Sequence, residues 1–141
     1  MARSQSPEPS TYFLDENLDS ADLAARLTAR GLSCVRLTKF GPPFRANMTD
    51  EEWIPLVAAR GWWAVTRDAR TTKEGEERRT ILRSQAVHIV IRGKNLTTAA
   101  MAEMLVKVHP RLVAKLAKLH RPVIVDVYAD SRLVWTVGAR R

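Results

Sequence analysis

Twice in this chain a helix-forming run ends on Arg-Gly and passes without a linker into an apolar, strand-like run. The two stretches are "LTARGLSCV" at residues 27–35 and "LVAARGWWAV" at residues 56–65. Glycine just past a helix takes up the left-handed turn that closes it, so each stretch reads as helix, stop, strand. A chain that alternates strand and helix in this way builds a parallel sheet, because each helix carries the chain back across the sheet face. This alternation limits the possible folds more than any single residue does.

The rest of the chain continues the pattern. "TYFLD" has a strand's composition, and the spacing of "DSADLAARLTARG" predicts a helix. Asp19 is its expected N-cap, Asp22 adds an acid to the positive helix end, and Leu23, Ala24 and Leu27 form an apolar stripe. "LSCVRL" is a second strand. The loop "TKFGPPFRANM" carries Gly41, Pro42 and Pro43, which break helix and sheet alike. Thr49 and Glu52 have capping-box spacing, with Pro55 either kinking the first turn or marking where the regular helix begins. "WWAVT" is a third strand, and "RDARTTKEGEERRT" is a charged loop leading into a helix around Glu76 to Ser84. "AVHIVIR" is a fourth strand, nearly all apolar as befits a strand covered on both faces. "LTTAAMAEMLVKVHPRLVAKLAKLH" reads as helical throughout, divided or kinked at Pro110. "PVIVDVYADSRLVWTV" reads as two strands with a tight turn at Ala129 to Arg132. The expected fold class is α/β, a three-layer αβα arrangement with a mainly parallel central sheet and a C-terminal β-hairpin.

A chain of 141 residues suits one domain with a real core. Polar residues 1–10 are expected to be a disordered lead-in without a signal peptide's apolar centre, and residues 11–141 a single domain. No apolar stretch approaches the ~20 residues of a membrane span. One cysteine, Cys34, excludes an internal disulfide and fits a reducing cytoplasm. It lies in a strand-like run, where core packing is the simple reading. The net charge of +8 favours a polyanionic partner, nucleic acid first, although solubility alone also accounts for charge of this size.

In open parallel sheets the reactive groups belong at the carboxyl ends of the strands. Asp15 and Glu16 stand at that end of the first strand, and Asp68 lies two residues past the third. Asp50 and Glu51 open the helix that feeds the third strand. Carboxylates gathered at one edge repel unless a cation lies between them, and Mg²⁺ or Mn²⁺ favours such oxygen ligands together with water and substrate phosphate. Each acid has a plainer role too. Asp50 and Glu51 suit a helix N-terminus, Asp68 can pair with Arg67 or Arg70, Asp15 can cap the turn, and Glu16 can simply face solvent. Asp126, inside "VIVDVY", is assigned to an exposed edge face. Arg67, Arg70 and Lys73 are either phosphate contacts or a solvated loop. His88, His109 and His120 lack ligand spacing, with His120 at a helix end. Trp53, Trp62 and Trp63 read as core or interface. There is no Gly-rich phosphate loop, paired-cysteine motif or nucleophile elbow.

The motifs "YFLDENL" and "MTDEEWIPLVAARGWWAVTRD", in this order, resemble the PIN-like nucleases. The likeness is closest to the branch whose first strand ends in D-E-N, which includes VapC-type toxins. It spans roughly residues 12–91 well and the C-terminal third loosely. The resemblance implies a Mg²⁺- or Mn²⁺-dependent ribonuclease in which Asp15, Asp50 and Asp68 bind metal and position the attacking water. Glu16 and Glu51 are secondary acids. A further acid frequent in the family after the third-strand aspartate is replaced here by Ala69 and Arg70. Many relatives are toxins held by a small antitoxin, and many are dimers.

The expected function is a cytoplasmic, metal-dependent endonuclease without a membrane role; that its substrate is RNA, that it is the toxin of a toxin–antitoxin pair with an antitoxin as partner, and that it forms a homodimer are what the resemblance implies. The alternative is a non-catalytic PIN-like module that binds RNA or protein through its basic surface. A receiver-like signalling domain also places acids at strand ends, but it is disfavoured by the strongly basic chain and the lack of a strand-end lysine.

Overall fold

The computed structural model describes residues 10–67 and 75–140. Most of the expected lead-in therefore lies outside the described residues. The elements run β1 (Thr11–Leu14), α1 (Ala21–Ala29), β2 (Ser33–Arg36), α2 (Asp50–Ala59), β3 (Trp63–Thr66), α3 (Gly75–Ser84), β4 (Val87–Ile91), α4 (Thr98–Leu116), β5 (Leu119–Val127) and β6 (Leu133–Arg140). They form one six-stranded sheet ordered β2-β1-β3-β4-β5-β6. All neighbours are parallel except β6, which returns antiparallel along β5. The expected αβα class and C-terminal hairpin are both present.

Two apolar layers flank the sheet. On one face Leu23 and Leu27 of α1 pack with Leu105, Val108 and Leu112 of α4 over Tyr12, Val65 and Ile89. On the other, Trp53, Ile54 and Val57 of α2 and Ile81 of α3 cover Phe13, Ala64, Val90 and Ile124. Successive strand residues alternate between these layers, so a residue's parity decides which helices it meets.

The local signals mostly held. Gly31 and Gly61 sit at φ +82° and +73°, the left-handed conformation that lets helix pass straight into strand. Thr49 and Glu52 form the reciprocal capping box, and α2 starts at Asp50 with Pro55 inside it. Pro110 likewise lies within one continuous α4.

Three details differ. The N-cap of α1 is Ser20, whose hydroxyl accepts from the Leu23 amide at 3.0 Å. Asp19 instead accepts from Arg36 Nε at 2.6 Å and from the Thr38 amide at 2.7 Å, tying the loop after β2 to the turn after β1. Helix α4 ends before Leu119, so His120 belongs to β5, where Leu119 pairs with Arg140. Strand pairing outweighs helix propensity there.

Candidate active site

Asp15 is the first residue beyond the end of β1. By alternation it falls on the α2/α3 face, the side of Phe13. It is only 5% exposed. The Leu18 amide donates to its Oδ1 at 3.1 Å, and the Thr66 hydroxyl, at the end of β3, donates to the same carboxylate. Burial pushes the pKa of Asp15 up to about 6; the charge of Asp50 adds to the rise, while the Thr66 and Leu18 hydrogen bonds hold it back.

Asp50 reaches this carboxylate from another element. It occupies the first turn of α2, and its Oδ1 accepts from Trp53 Nε1 at 3.0 Å. The Trp53 ring packs against Phe13 of β1 with centroids 5.3 Å apart, which seats the start of α2 over the carboxyl end of β1. Thus the two predicted acids from separate segments do come together.

The secondary acids Glu16 and Glu51 are both exposed. Glu16 is exposed and accepts from the Asn47 amide at 3.1 Å, securing the loop before α2. Glu51 is exposed in the first turn of α2. Arg67 follows β3, but its Nη2 donates to the Gly93 carbonyl at 2.5 Å, beyond β4. Asp68, Arg70 and Lys73 lie outside the described residues.

Polar residues from three further elements face the same layer. The register aligns Thr66 with Val90 and Val90 with Asp126, so Asp126 falls in the row that ends the parallel strands. It is buried, with strands on both sides, and not on an exposed edge as the apolar run "VIVDVY" suggested. The signal available in the sequence was position: a lone acid one residue before the end of an apolar strand. Glu77 in the first turn of α3 is also buried. Its Oε2 lies 3.6 Å from Nε2 of His88, beyond hydrogen-bond reach.

His88 is fully buried, stacks on Trp53 at 6.1 Å between centroids, and has no hydrogen-bond partner for either ring nitrogen. Burial pulls its pKa down to about 4, against the opposing charge of Asp50, so the ring is neutral near pH 7. Ligand spacing along the chain could not reveal it, because its neighbours come from α2 and α3.

The edge thus carries Asp15, Asp50 and Asp126, with Thr66 between strands and Glu77 and His88 behind. A sequence model for the PIN like domain matches residues 10–93. The chain belongs to the PIN-like domain family. No curated protein and no solved structure matches it. PIN-like domains are generally nucleases, which supports hydrolysis of nucleic acid as the type of reaction. The family match takes in Asp15, Asp50, Thr66, Glu77 and His88; Asp126 comes from the part of the chain beyond it.

A divalent ion can be weighed against these residues. Among the described residues, no three His, Cys, Asp or Glu side chains are grouped closely enough to hold a metal by themselves. Asp15 and Asp50 nevertheless supply two hard oxygen donors whose mutual repulsion a cation would relieve. Mg²⁺ commonly takes one or two carboxylates and completes its shell with water and substrate phosphate. The donor set of this PIN-like domain fits such an ion.

Cys34 is half-buried on β2, and burial pushes its thiol up to about 11, far from a reactive thiolate.

Proposed function

We propose that this PIN-like domain is a Mg²⁺- or Mn²⁺-dependent endoribonuclease of the branch whose first strand ends in D-E-N, acting as a VapC-type toxin. The observation that carries the reading is Asp15: a carboxylate buried at a strand end, charge-coupled to Asp50 from another element. A buried acid with a raised pKa beside a second acid is costly to stability, and such perturbed groups cluster at functional sites. Asp15 and Asp50 would hold the ion, with Asp68 as the third ligand carried over from the family pattern. When bound, the ion supplies a lowered pKa for a coordinated water and charge stabilisation at the scissile phosphate. The chain's own part is positional. Trp53 orients Asp50, Thr66 and the Leu18 amide orient Asp15, and Asp126 lies in the row that ends the parallel strands.

Purified protein incubated with RNA should cut it with Mn²⁺, stop with EDTA, and lose cutting in Asp15→Asn, Asp50→Asn and Asp68→Asn. Metal-independent RNA binding without any cutting in the wild type would overturn the enzyme reading in favour of a binding module. For the toxin role, a small protein encoded beside this one should bind it and suppress cleavage; growth arrest on expression, relieved by that partner, is the readout.

A further inference from the structure

Away from the acids lies a concavity lined by cations. A groove of about 660 Å³ runs between the C-terminal half of α4 and strand β6. Arg111, Lys115 and Lys118 line one side of it, and Arg132 and Arg140 the other, over a floor that includes Trp135. All five cations are exposed, and none of the described residues lining the groove is acidic. Arg132 has Asp130 at 3.8 Å; the other four have no carboxylate partner among the described residues. Arg111 and Lys115 are four residues apart on α4, about 6 Å along its axis, and Lys118 continues the line past the helix end.

Charge on β6 alone has a plain explanation, since cations blunt an edge strand against pairing with other chains. That does not account for three more cations converging from α4 into the same concavity. Five like charges set together repel one another, and a polyanion relieves the cost. Trp135 is half-buried with Lys115 Nζ 5.8 Å from its ring centre, an aromatic set within a basic channel. That pairing suits a nucleic-acid strand, whose phosphates meet cations while its bases meet an aromatic ring. The groove opens on the α1/α4 face of the sheet, opposite the α2/α3 face of Asp15 and Asp126, and one end of it comes near the carboxyl end of β5. Arg111 donates to the Ser131 carbonyl in the β5–β6 turn, and β5 reaches that turn one residue after Asp126 and Val127. Strand β6, eight residues long, covers about 26 Å from that end.

We propose that the α4–β6 groove is a binding track for the backbone of a single-stranded polynucleotide, holding a strand on the face of the sheet opposite the acids. That the strand is RNA rests on the proposed function; the groove itself needs only phosphate and bases. Every residue of the track lies outside residues 10–93, so it is a feature of this chain's own C-terminal part.

The test separates binding from cleavage. Anisotropy of a fluorescein-labelled 20-nucleotide single-stranded RNA is titrated with protein in EDTA across a salt series. The variant carries Arg111→Gln, Lys115→Gln, Lys118→Gln and Arg140→Gln. It should bind at least tenfold more weakly, with a salt slope smaller by about 3, since each phosphate contact on a single strand contributes about 0.7. A control with Arg26, Lys39, Arg79 and Arg83 changed to Gln has the same net charge and should bind nearly as the wild type. Equal weakening in both sets would show that net charge alone acts and would overturn the track, as would tighter binding of a duplex than of the strand. Comparable binding of a DNA strand of the same sequence supports backbone recognition. If the fourfold variant does not fold, Lys115→Glu with Lys118→Glu, both exposed, serves instead; hydrogen exchange of wild type with RNA should then protect β6 and the end of α4, and its failure to do so counts against the track. Groove-dependent binding without any cutting would sink the nuclease reading and keep the track; cutting by a protein whose groove variant binds normally would do the reverse.

Discussion

Trp53 donates its indole N–H to Asp50 Oδ1 at 3.0 Å and lays the same ring against His88. One side chain therefore serves the core and aims an acid at the edge of the sheet. Trp53→Phe keeps most of the packing and removes the hydrogen bond. Stability should fall by about 1–2 kcal/mol in denaturant unfolding. RNA cleavage should fall further, by about tenfold or more, because Asp50 loses its orientation; equal activity at saturating Mn²⁺ would count against that role.

Asp15 imposes a pH dependence of known sign. Its folded pKa of about 6 lies above the ordinary 3.8 because burial disfavours the charge. Between those values the folded state keeps a proton that the unfolded chain has released. Stability contributed by this group therefore falls as pH rises from about 4 to about 6, by about 3 kcal/mol at most. Asp15→Asn should abolish that fall and raise the midpoint of thermal unfolding at pH 7. Mn²⁺ should stabilise the wild type and leave Asp15→Asn nearly unchanged.

His88 works in the opposite direction across an overlapping range. Burial lowers its pKa from 6.5 to about 4, so the unfolded chain takes up the proton first as pH falls. Stability from this group is present above pH 6.5 and declines toward pH 4. His88→Phe should flatten the acid limb of the stability profile. It should also stabilise the protein at pH 7 by about 1 kcal/mol, since two buried nitrogens without partners are removed. Denaturation midpoints measured at pH 4.5 and 7 decide this.

Asp126 gives a test of the site's extent. Asp126→Asn retains size and hydrogen-bonding capacity, so its far-ultraviolet spectrum and cooperative unfolding should persist. Cleavage should drop by about tenfold or more if its charge acts with Asp15 and Asp50. Wild-type cleavage would restrict the working acids to the N-terminal part of the chain.

Much of the architecture was legible because its signals are local. The Arg-Gly helix stops, the Thr49–Glu52 capping box and the turn near Ala129 to Arg132 each act within a few residues, and all appear where expected. Local rules erred where two neighbours could do the same task. Asp19 and Ser20 are both good caps, and the choice went to Ser20 because Arg36 and Thr38, 17 and 19 residues away from Asp19, claim its carboxylate. Local propensity carries α4 past its real end because Leu119 and His120 are acceptable in a helix until β6 arrives to pair with them.

By itself the sequence determined the alternation of strands and helices, and with it the parallel sheet and the placement of Asp15 at a strand end. Helix stops, caps and apolar periodicity are written in consecutive residues, so they can be read without partners. Only the tertiary structure decided which polar groups share that edge. It drew Asp50 to Asp15 through Trp53, put Asp126 in the row of Thr66, and buried His88 between α2 and α3. It also gathered cations from α4 and β6 into one groove. Those relationships depend on strand order, register and side-chain burial, which arise from contacts between residues tens of positions apart.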